Sequence, residues 1–179
     1  MSEIQRSPFH VLFEIEQRCR MLAASLPAQE ETIRTWSGIG FRIGNVHLVA
    51  PMGEVGEILH EPGLTALPGV KPWVRGVANV RGRLLPVLDL PGYFGVAGNS
   101  TRKQRRVLVI ERGDIFVGLI VDEVFGMQHF PVTTYSEKTA GVADTLRPFI
   151  NGQFNRDHAW LVFSPHALAA DEGFLAVSA

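Results

Sequence analysis

The residues of this sequence best suited to hold a metal or move a proton are six histidines, His10, His47, His60, His129, His158 and His166. They are scattered, without the short intervals that place two ligands on one side of a helix or turn, so no metal site is expected. Asp122, Glu123 and His129 could supply a base with an orienting partner, and a small hydrolase built on them is one competing reading. Adjacent strand residues point to opposite faces, however, so Asp122 and Glu123 are badly placed to work as a carboxylate pair. The chain contains no GxxxxGK[ST] phosphate loop, GxSxG elbow, HExxH, CxxC or EF-hand loop. The expectation is a protein that is not an enzyme and uses no cofactor.

Two further stretches carry concentrated polarity. RKQRR at 102–106 could contact phosphates, which gives the alternative reading of a nucleic-acid-binding β-barrel protein. No aromatic residues interleave with it as a single-strand stacking surface requires, and the run equally suits a solvated loop guarding a strand end. In GVANVRGRLLPVLDL, residues 76–90, two arginines, an asparagine and an aspartate interrupt an apolar run. NVRGR reads as a hairpin corner, with Gly82 supplying positive φ and Asn79 bonding to nearby backbone. Pro86 has no N–H for a ladder, which restricts its strand to an edge or a bulge. Asp89 should accept backbone hydrogen bonds from the following turn. The corner presents Arg81 and Arg83 to solvent or to a partner.

The elements that must hold these residues are legible from pattern. Residues 7–26 form an amphipathic helix: Ser7 can cap it, Pro8 suits its first turn, and Pro27 ends it. Leu12, Ile15, Cys19, Leu22 and Leu26 lie on one stripe, so Cys19 reads as a small packed hydrophobe, and the helix is expected to be a docking element. From Ile39 onward, short apolar runs alternate with turn pairs. Gly44-Asn45 and Arg112-Gly113-Asp114 each divide a β-hairpin, and PHALAADEGFLA closes the chain as a terminal helix. Strands never alternate with long helices, which excludes a doubly wound nucleotide-binding sheet.

The β region also resembles itself. Pro72 set on Pro148 aligns PWVRGVANVRGRLLPV with PFINGQFNRDHAWLVF, and Gly44 set on Gly113 aligns GNVHLVAPMGEV with GDIFVGLIVDEV. Two hairpins repeated in the same order predict a duplicated strand unit and two small β-barrels side by side. Strands of such a pair face a barrel core on one side and the neighbouring barrel on the other, which accounts for their long apolar runs. The expected organisation is a helical extension over 1–34 and a β domain over 35–179. Within the latter, the barrels are expected over roughly 35–100 and 101–165, followed by the C-terminal helix.

Composition sets the remaining bounds. The 179 residues, 46% hydrophobic, can bury a sizeable core, and 17 basic against 18 acidic residues leave no global field to gather nucleic acid or anionic membrane. No signal-like segment and no run near roughly 18 apolar residues occurs, so the chain is expected to be cytoplasmic and without direct membrane insertion.

With these residues in view, the chain resembles the CheW family, adaptors that couple chemoreceptors to histidine kinases. GVANVRGRLLPVLDL is similar to that family's G-V-x-N-L-R-G and P-V-x-D-L segment, with Val80 in place of leucine. VGLIVDEVFGM and GNVHLVAPMGEVGEIL match two further segments, and together the matches span roughly residues 37–168. The longer helical start, WSGIGFR and DEVFGMQHFPV look like the PilI type, associated with type IV pili and twitching motility. The resemblance implies two SH3-like five-stranded barrels with a hydrophobic groove between them. It implies no catalysis, and two partners: the regulatory domain of a CheA-like histidine kinase and the cytoplasmic tip of a methyl-accepting chemoreceptor, whose membrane-associated arrays would recruit the chain. Carried across, receptor-groove positions fall on Ile39, Met52, Val55, Ile58, Arg81 and Val124, and kinase-contact positions on Val55, Glu57 and Arg81. Met52 and Pro51 depart from the family's usual residues at the groove.

Overall fold

The computed structural model describes residues 8–22, 34–139 and 141–178. Residues 1–33 and 34–179 form two separate units. In the first, helix α1 spans Pro8–Leu22, carries an Arg20–Glu16 ion pair at 2.7 Å and exposes Leu12, Ile15 and Leu22. Cys19 is a free, exposed thiol. Ser7, Leu26 and Pro27, expected to bound this helix, lie outside the described residues.

The second unit is mainly β and holds two sheets. Strands β1 (Thr35–Ile43), β2 (Val46–Pro51), β3 (Glu57–His60), β4 (Val74–Val80) and β5 (Arg83–Asp89) precede a short helix α2 (Leu90–Phe94). Strands β6 (Arg106–Arg112), β7 (Ile115–Val121), β8 (Glu123–Pro131), β9 (Tyr135–Ser136), β10 (Ile150–Asn155) and β11 (Ala159–Phe163) follow. The expected terminal helix is in fact two short ones, α3 (Pro165–Ala169) and α4 (Glu172–Leu175), capped by Ser164 and Asp171 respectively. Asp171 supplies a second N-cap within the segment, a carboxylate after the Ser164 hydroxyl, which restarts the helix instead of extending it.

One sheet runs β8-β1-β2-β11-β10-β9 and the other β3-β6-β7-β5-β4. The hairpins at Gly44-Asn45, Arg81-Gly82 and Gly113-Asp114 turn where the sequence predicts. The expected division near residue 100 does not follow the sheets. The first sheet joins β1 and β2 to strands from beyond residue 122, and the second joins β3–β5 to β6 and β7. Each repeat therefore lends its opening hairpin to the other repeat's barrel.

The duplication itself is visible in the ladders. The β4–β5 hairpin shifts register between Val74 and Gly76, and the β10–β11 hairpin between Ile150 and Gly152, at aligned positions. Gly76 and Gly152 have φ of 132° and 150°. A Cβ on Gly76 would overlap the Thr65 carbonyl, and one on Gly152 the Tyr135 ring. Thr65 exchanges two 2.9 Å backbone hydrogen bonds with Val77 of β4, while β9, reached from β8 through the turn Val132–Thr134, pairs with β10. The same glycine in each copy thus admits the segment that curls its sheet closed.

Strand alternation sorts the core into three parts. Val107 and Val109 of β6 join Leu85, Val87 and Ile120 inside the second barrel, while Leu108 and Ile110 join Phe41, Leu48 and Phe163 between the sheets. In the first barrel Val49, Phe130, Phe154, Trp160 and Val162 fill the interior. Both faces of these strands are buried, which is why they read as unbroken apolar runs.

Pro86 lies on an interior strand, since β5 sits between β7 and β4. Val77, its partner across β4, turns its backbone groups toward Thr65, and β5 pairs with β7 only from Val87 onward. The proline therefore occupies a position where no N–H is required. Asp89 caps α2 by accepting from Gly92 N at 3.4 Å. Among the described residues no helix is long and apolar enough to cross a membrane.

Candidate functional site

The seam between the two sheets opens at one end into an apolar surface, and register identifies its walls. Ile39 on β1 lies two residues from Phe41, on the face that packs between the sheets, and pairs with Met127 of β8. Paired residues share a face, so Met127, 54% exposed, continues that wall outward, whereas Ile39 itself is only 9% exposed. Val124 pairs with Phe41 and packs half-buried against the same core. On the other sheet Ile58 of edge strand β3 pairs with Leu108, a residue of the inter-sheet core, and is 38% exposed. A short 3-10 turn, Met52–Glu54, links the sheets. It carries Met52, 45% exposed, and delivers Val55 onto the core.

That turn is anchored from behind. The Glu54 carboxylate accepts hydrogen bonds from Ser164 Oγ at 2.8 Å and from the His166 backbone N–H at 2.9 Å. Because Ser164 also caps α3, one carboxylate ties the groove's link to the C-terminal helices.

Glu57 and Arg81 form a separate feature on the opposite face of β3 from Ile58. Arg81 Nη2 lies 2.6 Å from Glu57 Oε1. Arg81 has φ of 50°, the only positive value at a non-glycine among the described residues, and Gly82 follows at 81°. Two successive positive φ values make the tight hairpin turn that matches strand twist, and Asn79 Oδ1 accepts from Gly82 N at 2.9 Å to hold it. Arg83 points elsewhere: it stacks on Phe116 at 3.8 Å and pairs with Glu111 at 2.9 Å.

The structure therefore brings Ile39, Met52, Val55, Ile58 and Val124 to one seam, and Glu57 with Arg81 beside it. Sequence reasoning did not single out Met127 or Glu54. The strand period of EVFGMQHFP carries the signal for the first, but Glu54 binds residues more than a hundred positions away and leaves no local trace.

The residues considered for chemistry have other partners. Asp122 is buried and accepts from Gly44 N at 2.6 Å and Ser100 Oγ at 2.5 Å, fixing the β1–β2 turn, while His129 Nδ1 lies 2.7 Å from Ser37 Oγ. Within RKQRR, Arg106 donates to the carbonyls of Lys103, Gln104 and Arg105, and Arg102 pairs with Glu61 at 3.4 Å. Two of the histidines are not scattered: His47 and His158 pack with ring centroids 3.9 Å apart, beside Phe125 and Trp160. Burial lowers the His47 pKa, and the neighbouring His158 and Arg42 lower it further. No group of three or more metal-ligating side chains occurs among the described residues.

Comparison with known proteins bears on this arrangement. Residues 37–173 match the CheW-like domain. The chain is 64% identical over 178 residues to Protein PilI of Pseudomonas aeruginosa, covering 99% of each chain. It is 31% identical over 118 residues to Protein FrzA of Myxococcus xanthus, covering 66% of this chain and 68% of that one. The crystal structure of the scaffolding protein TtCheW from Thermoanaerobacter tengcongensis superposes with a TM-score of 0.67 at 23% identity, over 78% of this chain and 96% of that one, and so shares the fold. A duplicated strand unit folded into two interlocked barrels, matched over most of its length, places this chain in the CheW family of chemosensory adaptors.

Proposed function

We propose that this protein couples a methyl-accepting chemoreceptor to a CheA-like histidine kinase in a pathway that controls type IV pili and twitching motility. The observation that carries the reading is apolar side chains left exposed along the seam between the sheets: Met52, Ile58 and Met127 stand in solvent beside Val55 and Val124, which pack half-buried on the inter-sheet core. A helical receptor tip would lay an apolar stripe into that seam, the mode in which a few buried anchors supply most of the binding energy. Near-complete alignment with Protein PilI at 64% identity supports the pilus assignment.

The kinase's regulatory domain would meet Val55, Glu57 and Arg81, where β3 offers an edge strand and the Arg81 hairpin a fixed charged tip. Function on this reading lies in holding two partners at a set geometry and requires no catalytic group. Titration of the full chain with a receptor-tip fragment and, separately, with the kinase regulatory domain tests it. Saturable binding of both at once is expected. Mutual exclusion, or indifference to Ile58→Asp and Arg81→Glu, would refute the coupling role.

A further inference from the structure

A cavity of about 330 Å³ shares no lining residue with the groove. Glu61, Leu64, Ala66, Arg75, Arg102 and Arg105 line this cavity. Its polar walls carry one buried acceptor without a donor and one guanidinium without a protein partner. Arg105 is half-buried and its guanidinium has no partner among the described residues. Glu61 has a side chain only 6% exposed; one carboxylate oxygen meets Arg102 at 3.4 Å, and Oε2 is buried without a hydrogen-bond donor. Arg75 pairs with Asp89 through Nη1 at 3.7 Å, and its Nη2 has no partner among the described residues.

A buried acceptor without a donor is costly, and a ligand that carries a donor beside an anion would satisfy Glu61 Oε2 while meeting the Arg105 guanidinium. Three guanidinium forks around one space suit the several terminal oxygens of a phosphate better than a lone carboxylate. A carboxylate that accepts from a sugar hydroxyl is a recurring complement to phosphate binding. Leu64 and Ala66 supply an apolar wall for a flat ring, and the volume falls within the range of small-ligand sites.

We propose that this cavity binds a small phosphate ester with free hydroxyl groups, of the class of a nucleoside 5′-monophosphate. Arg75, Arg102 and Arg105 take the phosphate, Glu61 Oε2 accepts from a ribose hydroxyl, and Leu64 and Ala66 face the base. The site is independent of the receptor groove and stands or falls separately from it.

Calorimetric titration of the full chain with adenosine 5′-monophosphate, inorganic phosphate and a short single-stranded DNA tests the assignment. The monophosphate should bind roughly tenfold more tightly than inorganic phosphate, which brings neither a ribose hydroxyl to Glu61 nor a base to Leu64 and Ala66. Arg105→Gln should weaken both by roughly tenfold, and Arg105→Lys less, since it keeps the charge and loses the fork. Glu61→Leu, which removes the acceptor, should narrow the preference for the monophosphate over inorganic phosphate. No binding of the monophosphate up to about 5 mM, binding unaffected by Arg105→Gln in a variant with unchanged circular dichroism, or tighter binding of the DNA than of the monophosphate would overturn the proposal.

Discussion

Arg81 at the tip of the β4–β5 hairpin reaches Glu57 at the start of β3, guanidinium to carboxylate at 2.6 Å, although β4 and β3 are opposite edges of one sheet. Together with the Thr65–Val77 bridge, this contact records how far the sheet curls. It also fixes an exposed charge in a backbone conformation that a side chain rarely adopts. The pair is solvent-exposed and stabilises the fold by no more than about 1 kcal/mol. Its fixed geometry therefore matters more to what docks there than to folding.

Arg81→Glu should lower the affinity for the kinase regulatory domain while changing unfolding free energy by about 1 kcal/mol or less, the upper part of that range reflecting repulsion from Glu57. Surface plasmon resonance together with urea unfolding separates the two effects. Wild-type kinase affinity in the variant would remove Arg81 from the contact.

Val55→Asp and Ile58→Asp should both abolish binding of a receptor-tip fragment, but with different effects on the fold. Val55 packs on the inter-sheet core, so its replacement by a charge should also destabilise by about 1–3 kcal/mol; Ile58 is more exposed and its variant should stay close to wild-type stability. The Ile58 variant is thus the cleaner probe. Unaltered receptor binding by that variant would place the site elsewhere.

Glu54→Ala should cost about 1–3 kcal/mol in urea unfolding, because Ser164 Oγ and the His166 N–H lose their acceptor in a part-buried site. The 3-10 turn that carries Met52 loses its anchor at the same time. Receptor-tip affinity should therefore fall even though Glu54 itself is not a groove wall, and a nuclear magnetic resonance spectrum should show shifts at Met52 and Val55. Unchanged shifts there would show that the turn holds its position without the clamp.

Gly76→Ala and Gly152→Ala should each destabilise by about 2 kcal/mol or more, since both residues adopt positive φ and both meet the closing segment at a distance that leaves no room for Cβ. The equivalence of the two positions predicts losses of similar size. Chemical denaturation of the single variants checks this. A neutral effect at either would mean that its barrel can close without the glycine.

Stability should fall as pH drops below about 6.5, the ordinary histidine pKa, toward the lowered value of the folded state. Folding lowers the His47 pKa through burial first and then through His158 and Arg42, so the unfolded chain binds the proton more readily and gains on acidification. The charged groups around this ring include Asp157 and Glu123, which oppose the shift without cancelling it. His47→Gln should flatten the slope measured by urea unfolding across that range. An unchanged slope would assign the pH dependence to other groups.

Much of this molecule was legible in its residues. The turn pairs Gly44-Asn45, Arg81-Gly82 and Gly113-Asp114 each require local backbone chemistry that sequence records directly, and the unbroken apolar run Val107 to Ile110 announces a strand buried on both sides. The repeat was legible because Pro72 and Pro148, with the glycines after them, occupy the same position in two copies. What lay beyond reach was the partnership of those copies. The exchange of opening hairpins between the barrels depends on which edges meet after collapse, a choice made by long-range packing that no local pattern encodes. The same holds for Glu54 on Ser164, Glu57 on Arg81 and the packing of His47 on His158: each pairs residues distant in the chain, and only closure of the two sheets brings them within bonding distance.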